Sequence, residues 1–260
     1  MSVVALDHGL TVLEHLSRNE VMDVYDVWDE RRYCRCVAKL LRPDRERVDR
    51  DRERLLREGR MLLGFTHPHI VRAYELRETP VPMLLLEALS GETVSHLIDN
   101  RPRRIGADEL AILGLQVGSA VRYVHAAGWL HLDLKPSNVI IDGGFAKLID
   151  FSLARAPGRH RAGIGTRSYL APEQAAGGNL GVAADVWGLG ILLFETATGV
   201  SPFDRADENR YSQLDERAPR VRGLRRLPAA LDAVIDACLE IEAVDRPSID
   251  EVLETLEGLA

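Results

Sequence analysis

Apolar and polar positions follow two different periods along the chain, with strand-like alternation giving way to helical spacing. Residues 13–27 alternate loosely, with a polar break at 17–20, and predict a hairpin of two strands. Three more strands are predicted at residues 32–41, directly after 67–71, and at Met83–Glu87. Strands therefore come first and helices follow, an order that is typical of an α+β fold.

Helical spacing begins in a charged run and dominates the rest of the chain. Six helices are predicted, at residues 42–60, 92–100, 108–127, 185–198, 231–241 and 249–259. The apolar face of the first comprises Leu55, Leu56, Leu62 and Leu63. The third carries a continuous apolar stripe, which predicts a buried helix face. Residues 153–164, rich in arginine and glycine, predict a loop.

Polar residues that could take part in catalysis or ligand binding cluster around one further predicted hairpin, within residues 129–152. Two short apolar runs, 139–141 and 145–149, flank an Asp-Gly-Gly turn and predict paired strands. Four polar residues precede the first run: His131, Asp133, Lys135 and Asn138. Antiparallel pairing would return Asp150 to the end of the sheet that holds Asn138. Oxygen ligands suit Mg²⁺, so this end is predicted to bind a divalent cation and a phosphorylated ligand.

Composition excludes several classes of protein. Hydrophobic residues make up 46% and charged residues 28% of the 260, as in ordinary globular proteins. The net charge of −7 argues against nucleic-acid binding. No apolar run is long enough to span a membrane, and residues 1–13 lack a signal-peptide core, so we expect a cytoplasmic protein without a membrane partner. Cys34 and Cys36 are interpreted as packing thiols rather than metal ligands.

Lysine is rare in this chain, which makes each lysine informative. Of 33 basic residues, only Lys39, Lys135 and Lys147 are lysines. Arginine serves wherever a surface charge suffices, so a remaining lysine is expected where a compact ammonium is needed. Lys39 lies in a predicted strand and Lys135 in the polar turn, whereas Lys147 is interpreted as coincidental.

Four segments together resemble the eukaryotic-like (Hanks-type) serine/threonine protein kinases of bacteria. They are His-Leu-Asp-Leu…Asn at 131–138, Asp-Phe-Ser at 150–152, the stretch 165–173 ending in Ala-Pro-Glu, and Asp-Arg-Pro at 245–247. The resemblance runs from about residue 10 to the end. It implies a single bilobal kinase domain over residues 1–260. A small β-rich nucleotide lobe would occupy about 10–87, and a larger, mainly α-helical lobe 88–260.

The resemblance also implies catalytic and metal-binding roles. Asp133 would orient and deprotonate the attacking hydroxyl, and Lys135 would neutralise the migrating phosphoryl group. Asn138 and Asp150 would hold Mg²⁺, with Mn²⁺ as an alternative.

Other positions would bind ATP and shape the lobes. Lys39 would position the triphosphate, braced by Glu58; Glu53 competes for that role, but its sequence context is less suitable. Residues around adenine would be Val24, Val37, Ile140 and the backbone of Glu87 and Leu89, with Leu86 as gatekeeper. Asp185 would bond the backbone of residues 131–138, here called the catalytic loop, and Arg246 would pair with Glu173.

Two departures from the family pattern bear on activity. Ser17, Asn19 and Met22 stand where a glycine-rich loop has its glycines, which should weaken contacts with phosphate. Leu132 replaces the arginine that usually receives an activation-loop phosphate, and no Ser, Thr or Tyr lies between Ser152 and Thr166. The chain is therefore expected to be active without loop phosphorylation.

Three hypotheses follow. The favoured one is an ATP- and Mg²⁺-dependent protein kinase that acts on Ser/Thr hydroxyls of protein substrates. The second is a pseudokinase that serves as a binding or scaffolding module, motivated by the missing glycines. The third is a small-molecule or peptide kinase on the same fold, which the Ala-Pro-Glu and Asp-Arg-Pro segments disfavour. The sequence leaves the oligomeric state open.

Overall fold

A computed structural model describes residues 9–79, 81–100, 104–203 and 211–260, which fall into two units. The first unit takes its described residues from Met1–Thr66 and Ile70–Ser90. The second takes them from His67–His69 and Gly91–Ala260. Residues 1–8, which the predicted domain range includes, lie outside the described residues.

The first unit is built on a five-stranded antiparallel sheet. Its strands are β1 (Leu10–Arg18), β2 (Met22–Asp29), β3 (Cys34–Leu41), β4 (Ala73–Arg77) and β5 (Met83–Glu87). They lie in the order β1-β2-β3-β5-β4. One helix, α1 (Asp49–Gly64), lies between β3 and β4 in the chain. The five predicted strands are thus confirmed, and β1 and β2 extend beyond the predicted 13–27.

Strand register divides the sheet into two faces. Cys36, Ala38 and Leu40 of β3 belong to a buried hydrophobic cluster on one face. Residues between them point the opposite way because side chains alternate along a strand. On that second face Val24 is paired with Lys39, and Val37 is paired with Leu86 of β5.

Helix α1 begins later than predicted. The expected helix covered residues 42–60, but residues 42–48 form successive turns and the helix starts at Asp49. The Arg42 amide still donates to the Val21 carbonyl at 2.9 Å, and Pro43 follows with no amide to donate. Leu63 was also assigned to the apolar face, yet it is 46% exposed.

Helices dominate the second unit. They are α2 (Val94–Asn100), α3 (Ala107–Ala126), α4 (Pro172–Ala176), α5 (Ala183–Thr198), α6 (Ala229–Cys238) and α7 (Ile249–Glu257). The predicted stripe of α3 is buried, and α5 is buried over nearly its whole length. Among the described residues, no helix is both long and apolar enough to cross a lipid bilayer.

Short strands complete the second unit and correct two predictions. A three-stranded sheet contains β6 (Glu92–Thr93), β7 (Val139–Asp142) and β8 (Phe145–Leu148), and a separate pair contains β9 (Gly158–His160) and β10 (Gly178–Leu180). Residues 92–93 were predicted to be helical but pair with β7. The predicted loop at 153–164 contains β9, which forms only because β10 supplies a partner far along the chain.

Candidate active site

The hairpin of β7 and β8 brings the two predicted metal ligands to one end of its sheet. Gly143 and Gly144 both have positive φ values, 58° and 87°, as a two-residue hairpin turn requires. The Ile149 amide donates to the Asn138 carbonyl at 2.9 Å, so Asp150 follows directly beside Asn138. The predicted hairpin and its shared end are confirmed.

Asp133 is the centre of a hydrogen-bond network in the catalytic loop. Lys135 Nζ lies 2.8 Å from Asp133 Oδ2. The side-chain amide of Asn138 donates to the same oxygen at 3.0 Å and to the Asp133 carbonyl at 2.8 Å. Three of the predicted site residues thus lie in direct contact.

A hydroxyl group is hydrogen-bonded to the other oxygen of the Asp133 carboxylate, Oδ1. Thr166 donates to Asp133 Oδ1 through its backbone amide at 2.9 Å and through Oγ1 at 2.7 Å. Lys135 Nζ also donates to Thr166 Oγ1, at 2.5 Å. The site therefore places an aliphatic hydroxyl between a carboxylate that can accept its proton and an ammonium that can stabilise negative charge.

Asp185 binds the backbone of the catalytic loop, as predicted. Its carboxylate accepts from the amides of His131 at 2.8 Å and Leu132 at 2.7 Å, and from His125 Nε2 at 2.8 Å. Burial alone would raise the pKa of Asp185, but His125 and the loop amides together keep it below its usual range. A permanent carboxylate thus holds a loop in which Leu132 adopts a left-handed φ of 63°.

His131 is buried behind this network. Its Nδ1 accepts from the Asp133 amide at 3.2 Å, and its ring meets Phe151 edge-on with centroids 4.7 Å apart. Burial lowers the pKa of His131, so the ring is neutral and acts as an acceptor that fixes the Asp133 backbone.

The residues at the hairpin end fit a hard divalent cation. The buried Asn138 amide uses its nitrogen for two bonds to Asp133, which leaves its oxygen as the group available to a cation. Asp150 supplies a carboxylate from a left-handed position with φ 60°. One carboxylate and one amide oxygen match the few protein ligands that Mg²⁺ takes when phosphate supplies the others.

Lys39 and Glu58 form a buried ion pair within the first unit. Nζ of Lys39 lies 2.9 Å from both carboxylate oxygens of Glu58 on α1. Glu53, the alternative partner, is exposed on the same helix. The structure therefore joins Lys39 to Glu58, the partner that the sequence favoured.

The predicted adenine-contacting residues are distributed over both units. Val24 and Val37 share the Lys39 face of the first sheet and are half-buried. Glu87 and Leu89 lie at and beyond the end of β5, where the Glu87 carboxylate accepts from the Arg72 amide at 2.8 Å. Ile140 is half-buried on β7 in the second unit.

The turn between β1 and β2 is closed by its own side chains. Asn19 Oδ1 accepts from the amides of Val21 at 2.9 Å and Met22 at 2.8 Å. Arg18 then pairs with Asp23 across the turn, at 2.6 Å, and this contact keeps the pKa of Asp23 below its usual range. Amides that a glycine-rich loop could offer to phosphate are thus already engaged.

Arg246 and Glu173 form the predicted pair, in two bonds of 2.8 and 2.9 Å. The remaining guanidinium protons are donated to backbone carbonyls of Glu240, Ala183 and Ile241. Its carbon atom Cζ also lies 5.0 Å from the ring centroid of Trp187. Every N–H group of this buried cation is satisfied.

Among the contacts that were not predicted are those of Thr166, Asn19 and His125. Thr166 was recognised only as part of the docking segment, Asn19 only as a missing glycine, and His125 not at all. The Asn residue after a strand is a known turn former and could have indicated the closed turn. The other two contacts join residues more than 30 positions apart, and one sequence carries no signal for them.

Comparisons with known proteins agree with this geometry. The sequence profile described as "Protein kinase domain" matches residues 10–256. Serine/threonine-protein kinase PkaA of Streptomyces coelicolor is 36% identical in an alignment of length 222 that covers 80% of this chain and 40% of that protein. Serine/threonine-protein kinase PknD of Mycobacterium tuberculosis is 32% identical in an alignment of length 235 that covers 86% of this chain and 35% of that protein.

A solved structure gives the same result for the fold. The kinase domain of Mycobacterium tuberculosis PknI superposes with a TM-score of 0.77 and 25% sequence identity over the full length of both chains. This chain spans about two fifths of the length of the curated relatives that it matches.

Proposed function

Because the chain belongs to the protein kinase family, we propose that it transfers the γ-phosphoryl group of ATP to serine or threonine hydroxyls of protein substrates. The observation that supports this most directly is the position of the Thr166 hydroxyl, which is hydrogen-bonded to both Asp133 and Lys135. An acceptor hydroxyl of a substrate could replace it on the same two groups. Names of the bacterial relatives support the serine/threonine class.

Asp133 would orient the acceptor hydroxyl and take its proton, since Oδ1 lies at hydrogen-bond distance from such a group. Lys135 would stabilise the charge that develops on the transferred phosphoryl group. Its ammonium is held beside Asp133 by their ion pair, so it needs no rearrangement before reaction.

ATP and a divalent cation complete the proposal. Bound Mg²⁺, or Mn²⁺ in its place, would neutralise phosphate charge and orient the triphosphate. Asn138 and Asp150 are the residues that would hold it. Lys39, fixed by Glu58, would hold phosphate oxygens, while Val24, Val37, Ile140 and the backbone of Glu87 and Leu89 would contact the base.

Phosphate transfer from labelled ATP to the protein itself and to a generic basic protein tests the proposal, with Mg²⁺ and then Mn²⁺. We expect incorporation by the wild type, and none by Asp133→Asn or Lys39→Ala. Lys147→Ala is the matched control, since it removes the third lysine of the chain and should leave transfer unchanged. Nucleotide binding by the wild type without any transfer would refute the kinase activity and favour the binding-module hypothesis.

A further inference from the structure

Gln174 connects three segments around the catalytic loop through one buried side chain. It lies on α4 and is 2% exposed. Its Nε2 donates to the carbonyls of Leu132 at 3.0 Å and Ile164 at 2.8 Å, and its Oε1 accepts from the Ala171 amide at 3.0 Å. Both protons and the oxygen of this amide are therefore used.

Two of these bonds lie on either side of the contact between Asp133 and Thr166. Leu132 immediately precedes Asp133 and has a left-handed backbone, which is unfavourable for an L-amino acid that carries a Cβ atom. Ile164 lies two residues before Thr166. Gly165 between them has φ 128°, and a Cβ there would lie 2.8 Å from the Leu132 carbonyl and 3.2 Å from Gln174 Nε2. The absence of a Cβ at Gly165 therefore lets the two segments approach closely enough for Gln174 to bond both the Leu132 and the Ile164 carbonyl.

A contact between a phosphate group and arginine could not hold these segments together. Position 132 is a leucine, which cannot bind an anion, and residues 153–165 contain no hydroxyl that could be phosphorylated. A backbone hydrogen bond nevertheless fixes the segment at residues 163–166 to α4, since the Gly163 amide donates to the Gln174 carbonyl at 2.8 Å. In addition to the bonds of Thr166 with Asp133 and Lys135, the neutral amide of Gln174 links the two segments.

We propose that Gln174 is a positioning residue, which fixes the catalytic loop and residues 163–166 relative to each other. Asp133 can then present its carboxylate to a hydroxyl without prior phosphorylation of the loop at residues 153–165. The inference rests on the proposed kinase activity for its catalytic consequence. Its structural consequence, the order of the two segments, can be measured whether or not the protein transfers phosphate.

Hydrogen exchange of the purified protein is the first test. Gln174→Met keeps the volume of the side chain but removes both donors. We expect amides in residues 130–135 and 163–168 to exchange at least tenfold faster, while α5 keeps its wild-type rates. Gln213→Met is the matched control, because Gln213 is an equally buried glutamine that donates to the Arg167 and Leu170 carbonyls. It should leave residues 130–135 unchanged.

Phosphate transfer against pH is the second test. In Gln174→Glu a neutral carboxylic acid can still donate to one carbonyl, whereas the carboxylate repels both. The activity of this variant relative to wild type should fall as pH rises from 6 to 9, while that of Gln174→Met should be low and flat. The charges of Asp133, Lys135, Glu173 and Arg246 around the segment are common to all three proteins, so the ratio removes their titration.

The outcomes separate the two proposals. A wild type without transfer, combined with faster exchange in Gln174→Met, would overturn the kinase activity but support the positioning role. Unchanged exchange in Gln174→Met would overturn the positioning role, whatever the activity. So would equal pH profiles of the Glu and Met variants in an active protein.

Discussion

The ion pair between Arg246 and Glu173 should be among the most important polar contacts for the stability of the second unit. The Arg246 side chain is fully buried and that of Glu173 is 19% exposed. Removing one partner of a buried pair typically costs about 3–5 kcal/mol, because the other charge remains without compensation. Arg246→Met, which also leaves three backbone carbonyls without their donor, should cost about that amount.

Glu173→Gln should cost less, about 2–3 kcal/mol. The amide oxygen of glutamine can still accept one guanidinium bond, and partial exposure allows water to replace the other. Once Arg246 is absent, the same change should cost less than about 0.5 kcal/mol. A double-mutant cycle should therefore give a coupling energy of about 2 kcal/mol.

Native-state hydrogen exchange of the slowest α5 and α7 amides, in rising urea, would measure these energies in the second unit alone. The Arg122–Asp250 pair provides the control: it is equally short, at 2.8 Å, but both side chains are more than 60% exposed. Asp250→Asn should cost less than about 0.5 kcal/mol. A coupling energy for Arg246 and Glu173 no larger than that of the exposed pair would refute the reasoning.

Three further predictions concern the remaining contacts. Asn19→Gly frees the two turn amides for phosphate and should tighten ATP binding roughly tenfold by calorimetry; unchanged affinity would show that this turn does not contact the nucleotide. Glu58→Gln removes the charge of the Glu58 carboxylate that holds Lys39 and should raise the KM for ATP roughly tenfold, whereas Glu53→Gln on the exposed side of α1 should not. Burial lowers the pKa of His131. The unfolded chain therefore takes up an extra proton below about pH 6.5, and the unfolding free energy should fall there by up to about 1.4 kcal/mol per pH unit. His131→Asn should flatten this dependence in urea titrations, and an identical slope would contradict the assignment.

Local patterns were sufficient to predict most elements of secondary structure. Alternation located β1 and β2, a short apolar run located β5, and helical spacing located α3 and α5, because the signal for each of these elements lies within its own length. The hairpin that contains Asn138 and Asp150 was predictable for the same reason. Its turn residues and its two apolar runs are contiguous in sequence.

Features that depend on distant partners were predicted poorly. Strand β9 needs β10, about 20 residues later, and nothing within residues 153–164 distinguishes it from a loop. The resemblance to a known family predicted the Lys39–Glu58 and Arg246–Glu173 pairs, which no single local pattern contains. Where the chain departs from that family, as at Asn19 and Leu132, the resemblance indicated what is missing but not what replaces it.

Neutral side-chain amides replace charge and glycine at both departures. Asn19 accepts hydrogen bonds from the turn amides that a glycine-rich loop would offer to phosphate. Gln174 donates to the carbonyls of Leu132 and Ile164, which lie on either side of the contact between Asp133 and Thr166. Amides neither titrate nor lose strength through salt screening, unlike a contact between phosphate and arginine. The contributions of Asn19 and Gln174 to order at these two places should therefore be independent of ionic strength. In the Gln174 exchange experiment, wild-type protection of residues 130–135 should stay constant between 0.05 and 1 M salt, to within roughly twofold; a strong loss at high salt would mean that ion pairs, rather than Gln174, hold the catalytic loop.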